Sequence, residues 1–556
     1  MPVGANSQNN IGGFNPAVSR TQSSAIRVLN GKNFRWDFDG PFSGFGNSQV
    51  SEQFTGHSLL PYYATFNVES KAYLFTPNGV FEQRESNDPD KCYTDLICKL
   101  AFTPYQWPCE EDNDYPWSQA FVGDSYYFSH PTVGLIKYNT YKCEWSCCEL
   151  VGEEIENGEG TFYDFSCPEK GCLITGPIFG ITQAGNRLVI QARDTIGWSA
   201  IDDGCTLFCD PFCGGGFVSS SVARYGKPLG VYETADGFAA FTSNSIIRGA
   251  TIDSIGAFNV ATLSNKTFPI NPHAITQLDN FQIMFYSNKG LMLLANNQLA
   301  PFEPELSNWF HKLLRNTNIR YVQHGVKLAY AEDTDELFVS VIGKPSEKLN
   351  PNVYPRALVY KFISKKWGSF DQPHYFIGPV NVSHKVAGQN LGFISWSNYL
   401  HHFDYSLTNS VGAGLELDNL DSFITVGPFQ IAYEQLRSVK TELTSFDIHT
   451  EVNNSSGFNL GIIDSYQEDF KSSNWETCAF ANYDADVYLL SSKDAHGTNE
   501  NCEQAELLSN EDCFVKNYTC SGVGDYHTIS IVASRVGSYY SINMISVQLV
   551  SKETKA

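Results

Sequence analysis

The feature that most constrains the fold is a hairpin that recurs along the chain. Residues 273–302 read HAITQLDNFQIMFYSNKGLMLLANNQLAPF, in which two short apolar strands flank an Asn-Lys-Gly turn. In each such unit, aromatic or β-branched residues alternate with polar ones on both sides of a turn. A unit that recurs in one continuous block indicates a repeat architecture. Similar units occupy residues 71–83, 125–139, 187–202, 237–252, 336–370 and 391–406.

The spacing of these units predicts a β-propeller. Their second strands begin near residues 79, 134, 196, 245, 290, 357 and 399. A four-stranded propeller blade takes about 40 to 50 residues, so the shorter intervals match a blade and the longer ones imply insertions. We therefore expect an irregular six- or seven-bladed β-propeller over residues 56–410, with Trp367 and Phe370 filling the space between neighbouring blades. Unrelated hairpins in β-sandwiches are the alternative.

The two ends of the chain differ from the repeat block. Residues 411–556 contain longer alternating strands, such as TELTSFDIHTEV, and predict a C-terminal β-sandwich-like domain. The first 55 residues are rich in glycine and aromatic side chains, and we interpret them as an N-terminal arm or interface segment. The whole chain is therefore expected to be mainly β, with a Cys-rich insertion in the propeller.

One segment has the pattern of an amphipathic helix. In PELSNWFHKLLRNTN, which begins at Pro304, apolar residues recur at helical spacing and would form one face. A lone helix between blades is expected to pack on the propeller, and a subunit contact is the alternative. The apolar positions are Leu306, Trp309, Phe310, Leu313 and Leu314.

The charge of the chain excludes some partners. The 37 Lys and Arg residues against 60 Asp and Glu residues leave a net charge of −23. Such a chain repels nucleic-acid backbones and anionic membranes, because they carry charge of the same sign. It also has no run of basic residues that could form a local binding patch. Solubility explains the charge most simply. A surface that DNA must pass without sticking is the sharper interpretation.

The N-terminal residues lack the pattern of a secretory signal, and no apolar stretch is long enough to cross a bilayer. We therefore expect a chain that is made in a cytoplasm and has no membrane anchor. The 15 cysteines are many for a reducing cytosol. A protein made in a cytoplasm but working outside it fits both observations.

The cysteines are clustered in two regions, which predicts local disulfides or a thiol cluster in loops without a core of their own. A metal site is the alternative, but the chain has no C-x-x-C pair and the spacing in CTLFCDPFC does not match structural zinc. No metal or cofactor is therefore predicted. The cysteines of the first region, within the insertions at about 88–215, are Cys92, Cys98, Cys109, Cys143, Cys147, Cys148, Cys167, Cys172, Cys205, Cys209 and Cys213. Those of the second region are Cys478, Cys502, Cys513 and Cys520.

Motifs of enzymes are missing from the sequence. There is no G-x-S-x-G elbow, no H-E-x-x-H pair and no phosphate-binding loop. The nearest approach to a sialidase-type Asp box, at 492–498, has an extra residue before its glycine and lacks the tryptophan. His401 and His402 are adjacent in a strand-like segment, so they would lie on opposite sides of it. The sequence predicts a protein that is not an enzyme.

The order of the segments resembles a known family. Repeat strands are followed by AITQLDNFQIMFYSNKGLMLL, a short helix, the phrase VKLAYAEDTDELFVSV with LVYKFISKKWGSFD, and a terminal domain ending in SRVGSYYSINMISVQLVSK. This order, over residues 180–556, resembles the tail nozzle or head-completion β-propeller proteins of short-tailed bacteriophages. The Cys-rich region departs from that family's pattern.

The resemblance implies a structural virion protein that is located in the tail and is assembled in the host bacterial cytoplasm. Such proteins form a homo-hexameric ring below the portal and adaptor and extend the DNA channel. They help retain and then release the genome, and they carry tail fibres or spikes. Double-stranded DNA would pass through the ring without specific binding. A receptor- or glycan-binding virion adhesin is the alternative, because abundant aromatic side chains are also compatible with a lectin surface.

Overall fold

A computed structural model describes more than half of the chain. The described residues are 6–8, 27–36, 40–43, 46–49, 64–69, 71–76, 78–85, 94–104, 115–147, 154–157, 160–163, 165–167, 172–174, 177–207, 215–252, 258–304, 306, 326–332, 334–341, 357–370, 375–381, 389–394, 400–404, 422–429, 441–449, 486–492, 500–504, 506–509, 515–524, 526–533, 542 and 544–551.

The N-terminal arm, residues 6–49, contains five short strands that join sheets built mainly from later parts of the chain. They are β1 (Asn6–Gln8), β2 (Arg27–Lys32), β3 (Phe34–Trp36), β4 (Pro41–Ser43) and β5 (Gly46–Gln49).

Residues 64–404 form seven blades, each an antiparallel sheet whose strands pair in chain order. Blade 1 contains β6 (Ala64–Val68), β7 (Lys71–Thr76), β8 (Gly79–Glu85) and β9 (Thr94–Ala101). Blade 2 contains β10 (Ser118–Val122), β11 (Ser125–His130), β12 (Gly134–Asn139) and β13 (Glu144–Cys147). Two hairpins follow, β14 (Glu154–Asn157) with β15 (Gly160–Tyr163) and β16 (Phe165–Cys167) with β17 (Cys172–Ile174). Blade 3 contains β18 (Ile178–Ala184), β19 (Arg187–Ala192), β20 (Thr195–Ala200), β21 (Asp203–Leu207) and β22 (Gly216–Ser219).

Blade 4 follows a short helix, α1 (Val222–Tyr225), and contains β23 (Pro228–Thr234), β24 (Gly237–Thr242), β25 (Ile246–Thr251) and β26 (Phe258–Ser264). Blade 5 contains β27 (Ile275–Gln277), β28 (Ile283–Ser287), β29 (Gly290–Ala295) and β30 (Gln298–Pro301), with 3-10 helices at Pro272–Ala274 and Asp279–Phe281. Blade 6 contains β31 (Val326–Ala331), β32 (Glu336–Val341), β33 (Ala357–Lys361) and β34 (Lys366–Phe370). Blade 7 contains β35 (Tyr375–Asn381), β36 (Gln389–Ile394) and β37 (Leu400–Asp404).

The blades form a closed ring around their first strands. β10 contacts β18, β18 contacts β23, β27 contacts β31, β31 contacts β35, and β35 contacts β6. The two remaining junctions are bridged by side chains, since Gln119 Nε2 donates to Asn67 O at 3.5 Å and Gln277 Nε2 donates to Glu233 O at 3.4 Å. The chain is thus a seven-bladed β-propeller, and the predicted fold class is confirmed.

The hairpins found in the sequence are the central strands of the blades. The third strands of the seven blades begin at Gly79, Gly134, Thr195, Ile246, Gly290, Ala357 and Leu400. Every residue of β24 and of β28 is buried, and alternate residues of β24 pack against blade 3 and against blade 5. This double burial explains why the central strands carry the clearest apolar pattern.

The N-terminal arm completes the last blade. β5 pairs with β37, in a register that sets Gln49 opposite His401 and Gly46 opposite Asp404. Because β5 directly precedes the first blade, this pairing joins the two ends of the ring. His401 and His402 are consecutive residues of β37.

Two more strands of the arm widen blade 6. β3 pairs with β34 through Phe34 and Ser369, and β4 adds to β3. The indole Nε1 of Trp36 donates to Trp367 O at 2.6 Å. Trp367 also lies 6.4 Å from the Phe302 ring that follows blade 5, so its predicted position between blades is confirmed.

The C-terminal residues form two five-stranded sheets, as a β-sandwich-like domain requires. One sheet has the order β1, β45 (Met544–Ser551), β39 (Thr441–His449), β43 (Val515–Gly524) and β42 (Glu506–Ser509). The other has the order β2, β38 (Ser422–Phe429), β44 (Tyr526–Ala533), β40 (Asp486–Ser492) and β41 (Glu500–Gln504). Fully buried Ile424, Ile448 and Ile531 belong to one continuous core with Trp36 and blade 6.

The predicted helix lies outside the described residues, apart from Pro304 and Leu306. Leu306 is buried in the core shared by blade 6 and the sandwich. The region of the predicted Cys-rich insertion contains the two hairpins between blades 2 and 3.

Candidate interaction surface

The topology gives the propeller two different faces. All strand pairs within a blade are antiparallel, so the turns between first and second strands and between third and fourth strands lie on one face, here named the turn face. The turns between second and third strands lie on the opposite face, together with the loops that connect blades.

The opposite face is built on a repeated hydroxyl turn. FTPNG, FTSNS and YSNKG place Thr76, Thr242 and Ser287 at the same position of blades 1, 4 and 5. Each hydroxyl donates to a carbonyl three residues later, at 3.1, 3.0 and 2.8 Å, and each accepts a backbone N–H from within its turn. Gly290 has a φ of 110°, so its predicted turn role is confirmed. This repeated motif has a structural role, because its polar atoms are used inside the turn.

On the turn face, the first turn of one blade packs against the next blade. A Cβ added at Gly123 of blade 2 would lie 2.3 Å from Asp202 O of blade 3. A Cβ added at Gly185 of blade 3 would lie 3.6 Å from Thr251 Cγ2 of blade 4. These close approaches leave no gap between the turns.

Polar contacts continue this pattern into blades 4 and 5. Asn297 Nδ2 of blade 5 donates to Asp236 Oδ2 of blade 4 at 3.0 Å, and Arg248 forms an ion pair with the same carboxylate. Burial alone raises the pKa of Asp236, but the hydrogen bonds from Arg248 and Asn297 outweigh it and hold that pKa below its usual value. Asp236 is therefore ionised and fixed.

Blades 5 and 6 are joined by the hydroxyl group of Tyr330, which contacts one carboxylate in each blade. The hydroxyl oxygen of Tyr330 lies 2.9 Å from Asp279 Oδ2 and 3.0 Å from Asp335 Oδ1, so one O–H serves two carboxylates. Burial and these two hydrogen bonds raise the pKa of Tyr330. The tyrosine stays protonated and links the two acidic turns. The turn face is thus continuous from blade 2 to blade 6.

Blade 1 carries a cluster of three cations around one carboxylate. The nearly buried Glu82 accepts from Arg84 at 2.9 and 3.0 Å, lies 2.7 Å from Lys99 Nζ and lies 3.6 Å from Lys71 Nζ. Burial raises the pKa of Glu82, but the three cations outweigh it and bring that pKa to about 2. The cations therefore compensate a buried carboxylate of the protein itself.

The described part of the chain contains neither a disulfide nor a group of three or more His, Cys, Asp or Glu residues that could hold a metal ion. Cys98 and Cys143 carry free thiols on the surface. Cys167 and Cys172 occupy opposite positions in the β16–β17 hairpin. Cys92, Cys109, Cys148, Cys209, Cys213, Cys478 and Cys513 lie outside the described residues, so the predicted cluster as a whole stays a prediction. Within the described ranges, no helix is long and apolar enough to cross a membrane.

The turn face was not predicted from the sequence. A signal was nevertheless present, because turns are usually polar and several turns here contain an exposed apolar residue. Examples are Tyr141 in NTYKCE, Ile201 in AIDD and Ile363 in KFISKK.

No protein-family model matches the chain, and no curated protein matches it. Many solved structures are similar to it, including the following three. The extracellular domain of a hybrid two-component system from B. thetaiotaomicron is 11% identical, with a TM-score of 0.37 over 72% of this chain and 45% of that one. The chain therefore spans less than half the length of that domain.

The other two structures are smaller. The AfRom2 CNH domain is 7% identical, with a TM-score of 0.35 over 65% of this chain and 99% of that one. YCF48 bound to D1 peptide is 10% identical, with a TM-score of 0.33 over 68% of this chain and 97% of that one. At these scores the function of this chain has to be argued from its own residues.

Proposed function

We propose that this protein is a structural virion protein that forms the tail nozzle ring of a short-tailed bacteriophage. In this role six copies assemble below the portal and adaptor and extend the DNA channel. The ring helps retain the packaged genome and then release it, and it carries tail fibres or spikes. The order of repeat block and terminal sandwich supports this proposal, as it is the order expected of that family.

The observation that carries the proposal is the way in which the N-terminal arm joins the two domains. Residues 6–49 add strands to four sheets, namely both sheets of the sandwich, blade 6 and blade 7. The arm is further held by the buried ion pair of Arg35 and Glu336. Domains that share sheets in this way move as one body, which suits a ring that must hold a packaged genome.

The net charge of −23 is a second support. Double-stranded DNA is repelled by a surface of the same sign, and binding to the channel wall would oppose ejection. A net negative charge also favours solubility, so the charge supports the proposal but is not sufficient evidence for it.

Native mass spectrometry of the purified chain over a range of concentrations tests the proposal. A hexamer is the expected result. A trimer would instead favour a receptor- or glycan-binding adhesin, and a monomer at every concentration would contradict both functions.

A DNA-binding measurement at physiological ionic strength tests the channel role separately. The protein is expected to leave the mobility of a linear duplex unchanged, with a basic DNA-binding protein as the positive control. Retention of the duplex by this protein would contradict a channel through which DNA passes without binding.

A further inference from the structure

We propose that the turn face of blades 2–6 is a docking surface for a protein partner whose contacting surface is basic and carries apolar side chains. This inference rests on the exposed side chains of the face, and it stands whether or not the chain forms a nozzle ring.

The first observation is the distribution of exposed hydrophobic side chains. Nine large hydrophobic residues are exposed in the part of the chain that the structure describes, and six of them lie on the turn face. They are between 41% and 85% exposed, and each of blades 2–6 contributes at least one. The six residues are Phe121, Tyr141, Ile201, Ile252, Phe281 and Ile363. Scattered hydrophobic residues need no explanation, whereas a concentration on one face indicates an interaction site.

The second observation is that two of these side chains lie next to turn residues that pack against a neighbouring blade. Ile201 directly precedes Asp202, which packs against Gly123 of blade 2, and Ile252 directly follows Thr251, which packs near Gly185. Turns that are already held in place lose little conformational entropy when a partner binds. The face is therefore preorganised for association.

The third observation is backbone strain at Phe281. Its φ is 60°, and the preceding Asn280 has a φ of 57°. Asparagine tolerates this left-handed conformation, but a bulky aromatic residue rarely adopts it. The side chain of Phe281 is nonetheless 46% exposed, so the strain is not offset by burial of the ring within this chain. Strain of this kind is concentrated at functional sites, and burial of the ring against a partner would offset it.

The charge around these side chains identifies the partner's chemistry. In blades 3 and 5, the exposed Asp202 and Asp203 follow Ile201, and the exposed Asp279 occupies the first turn of blade 5. A second copy of a chain with a net charge of −23 would place like charges against this sector. Nucleic acids and anionic lipids are disfavoured for the same reason. A protein surface rich in Lys and Arg is complementary.

A binding experiment with synthetic peptides tests this assignment on the full-length protein. The probe is a short peptide of alternating leucine and lysine, titrated calorimetrically. The comparison peptides alternate leucine with glutamate and glycine with lysine. The test variant combines Ile201→Ser, Ile252→Ser and Phe281→Asn, where asparagine keeps the left-handed backbone accessible. The control variant combines Ile97→Ser, Phe217→Ser and Val222→Ser, which are exposed hydrophobic residues outside the turn face.

The leucine–lysine peptide is expected to bind the wild type and the control variant equally. Its affinity for the test variant should fall at least about tenfold, which corresponds to about 1.4 kcal/mol of lost contact. Both comparison peptides should bind the wild type more weakly than the probe does. Equal binding to both variants would overturn the proposal, and so would equal binding of the leucine–glutamate peptide. Self-association that the test variant abolishes would assign the face to a second copy and also overturn it.

Discussion

Arg35 of the N-terminal arm and Glu336 of blade 6 form an ion pair that is almost completely buried, although the two residues are 301 positions apart in the chain. Arg35 Nε donates to Oε1 at 3.1 Å, and Arg35 Nη2 contacts Oε2. Thr334 Oγ1 donates to Oε2 at 2.8 Å, and the guanidinium lies 6.0 Å from the centre of the Phe338 ring. The pair fixes the arm to one position on the propeller.

Removal of one partner of this pair should destabilise the protein strongly. Arg35→Gln leaves the Glu336 carboxylate buried without its cation, and the expected loss is about 3–5 kcal/mol in the free energy of unfolding. Urea denaturation of the variant measures this loss. Arg248→Gln is the control, because the Arg248–Asp236 pair is about one-third exposed and should contribute about 1 kcal/mol or less. Equal losses in both variants would contradict a special role for the buried pair.

A methyl group at Gly368 should separate the arm from blade 6. A Cβ at this position would lie 2.4 Å from Phe34 O, a backbone atom of β3 that cannot turn away as a side chain could. Gly368→Ala should therefore cost about 1–3 kcal/mol and make the arm more susceptible to limited proteolysis. Gly134→Ala is the control, since no atom beyond Gly134 and its two chain neighbours lies within 4 Å of the added Cβ. The control should cost only about 1 kcal/mol of backbone strain and leave proteolysis of the arm unchanged.

The hydroxyl group of Thr242 should contribute more to the stability of the protein than the volume of its side chain does. Its Oγ1 accepts the Ser245 N–H at 3.0 Å and lies within hydrogen-bonding distance of the Ser245 and Tyr225 carbonyls. Thr242→Val keeps the volume but removes the acceptor of the buried Ser245 N–H, at an expected cost of about 1–3 kcal/mol. Thermal unfolding measures the effect. Ser264→Ala, in a more exposed turn, should cost about 0.5 kcal/mol or less.

Glu82 should make stability depend on acid pH. Its pKa is about 2 in the folded protein against an ordinary value of 4.5, so the folded state binds fewer protons. The stabilisation is therefore complete above about pH 5 and lost as the pH falls towards 2. Since the cations are partly exposed, we expect an effect on the order of 1–2 kcal/mol.

Urea denaturation of Glu82→Gln at a series of pH values checks this expectation, and its stability should fall less steeply between pH about 5 and about 2. Arg84→Gln keeps the carboxylate but removes one cation, so its loss of stability should begin at higher pH. Curves for both variants that run parallel to the wild type would contradict the assignment.

The arrangement of the blades could be predicted because its causes are local. A central strand such as β28 is covered on both faces, so its residues are apolar in sequence, and turns such as YSNKG carry their own hydroxyl and glycine. Each unit therefore has a recognisable pattern wherever it lies in the chain. The turn face was missed because exposure of a residue such as Ile201 depends on neighbouring blades, which a single turn sequence does not encode.

Alternation and turn chemistry act over a few residues, so the sequence indicated six or seven repeats and a C-terminal region of longer strands. The position of the N-terminal arm depends on tertiary contacts. The strands of the arm pair with edge strands that lie hundreds of residues later in the chain, as β5 does with β37. Tertiary structure also decided that the exposed apolar turns share one face. Both outcomes depend on closure of the ring, which brings distant parts of the chain together.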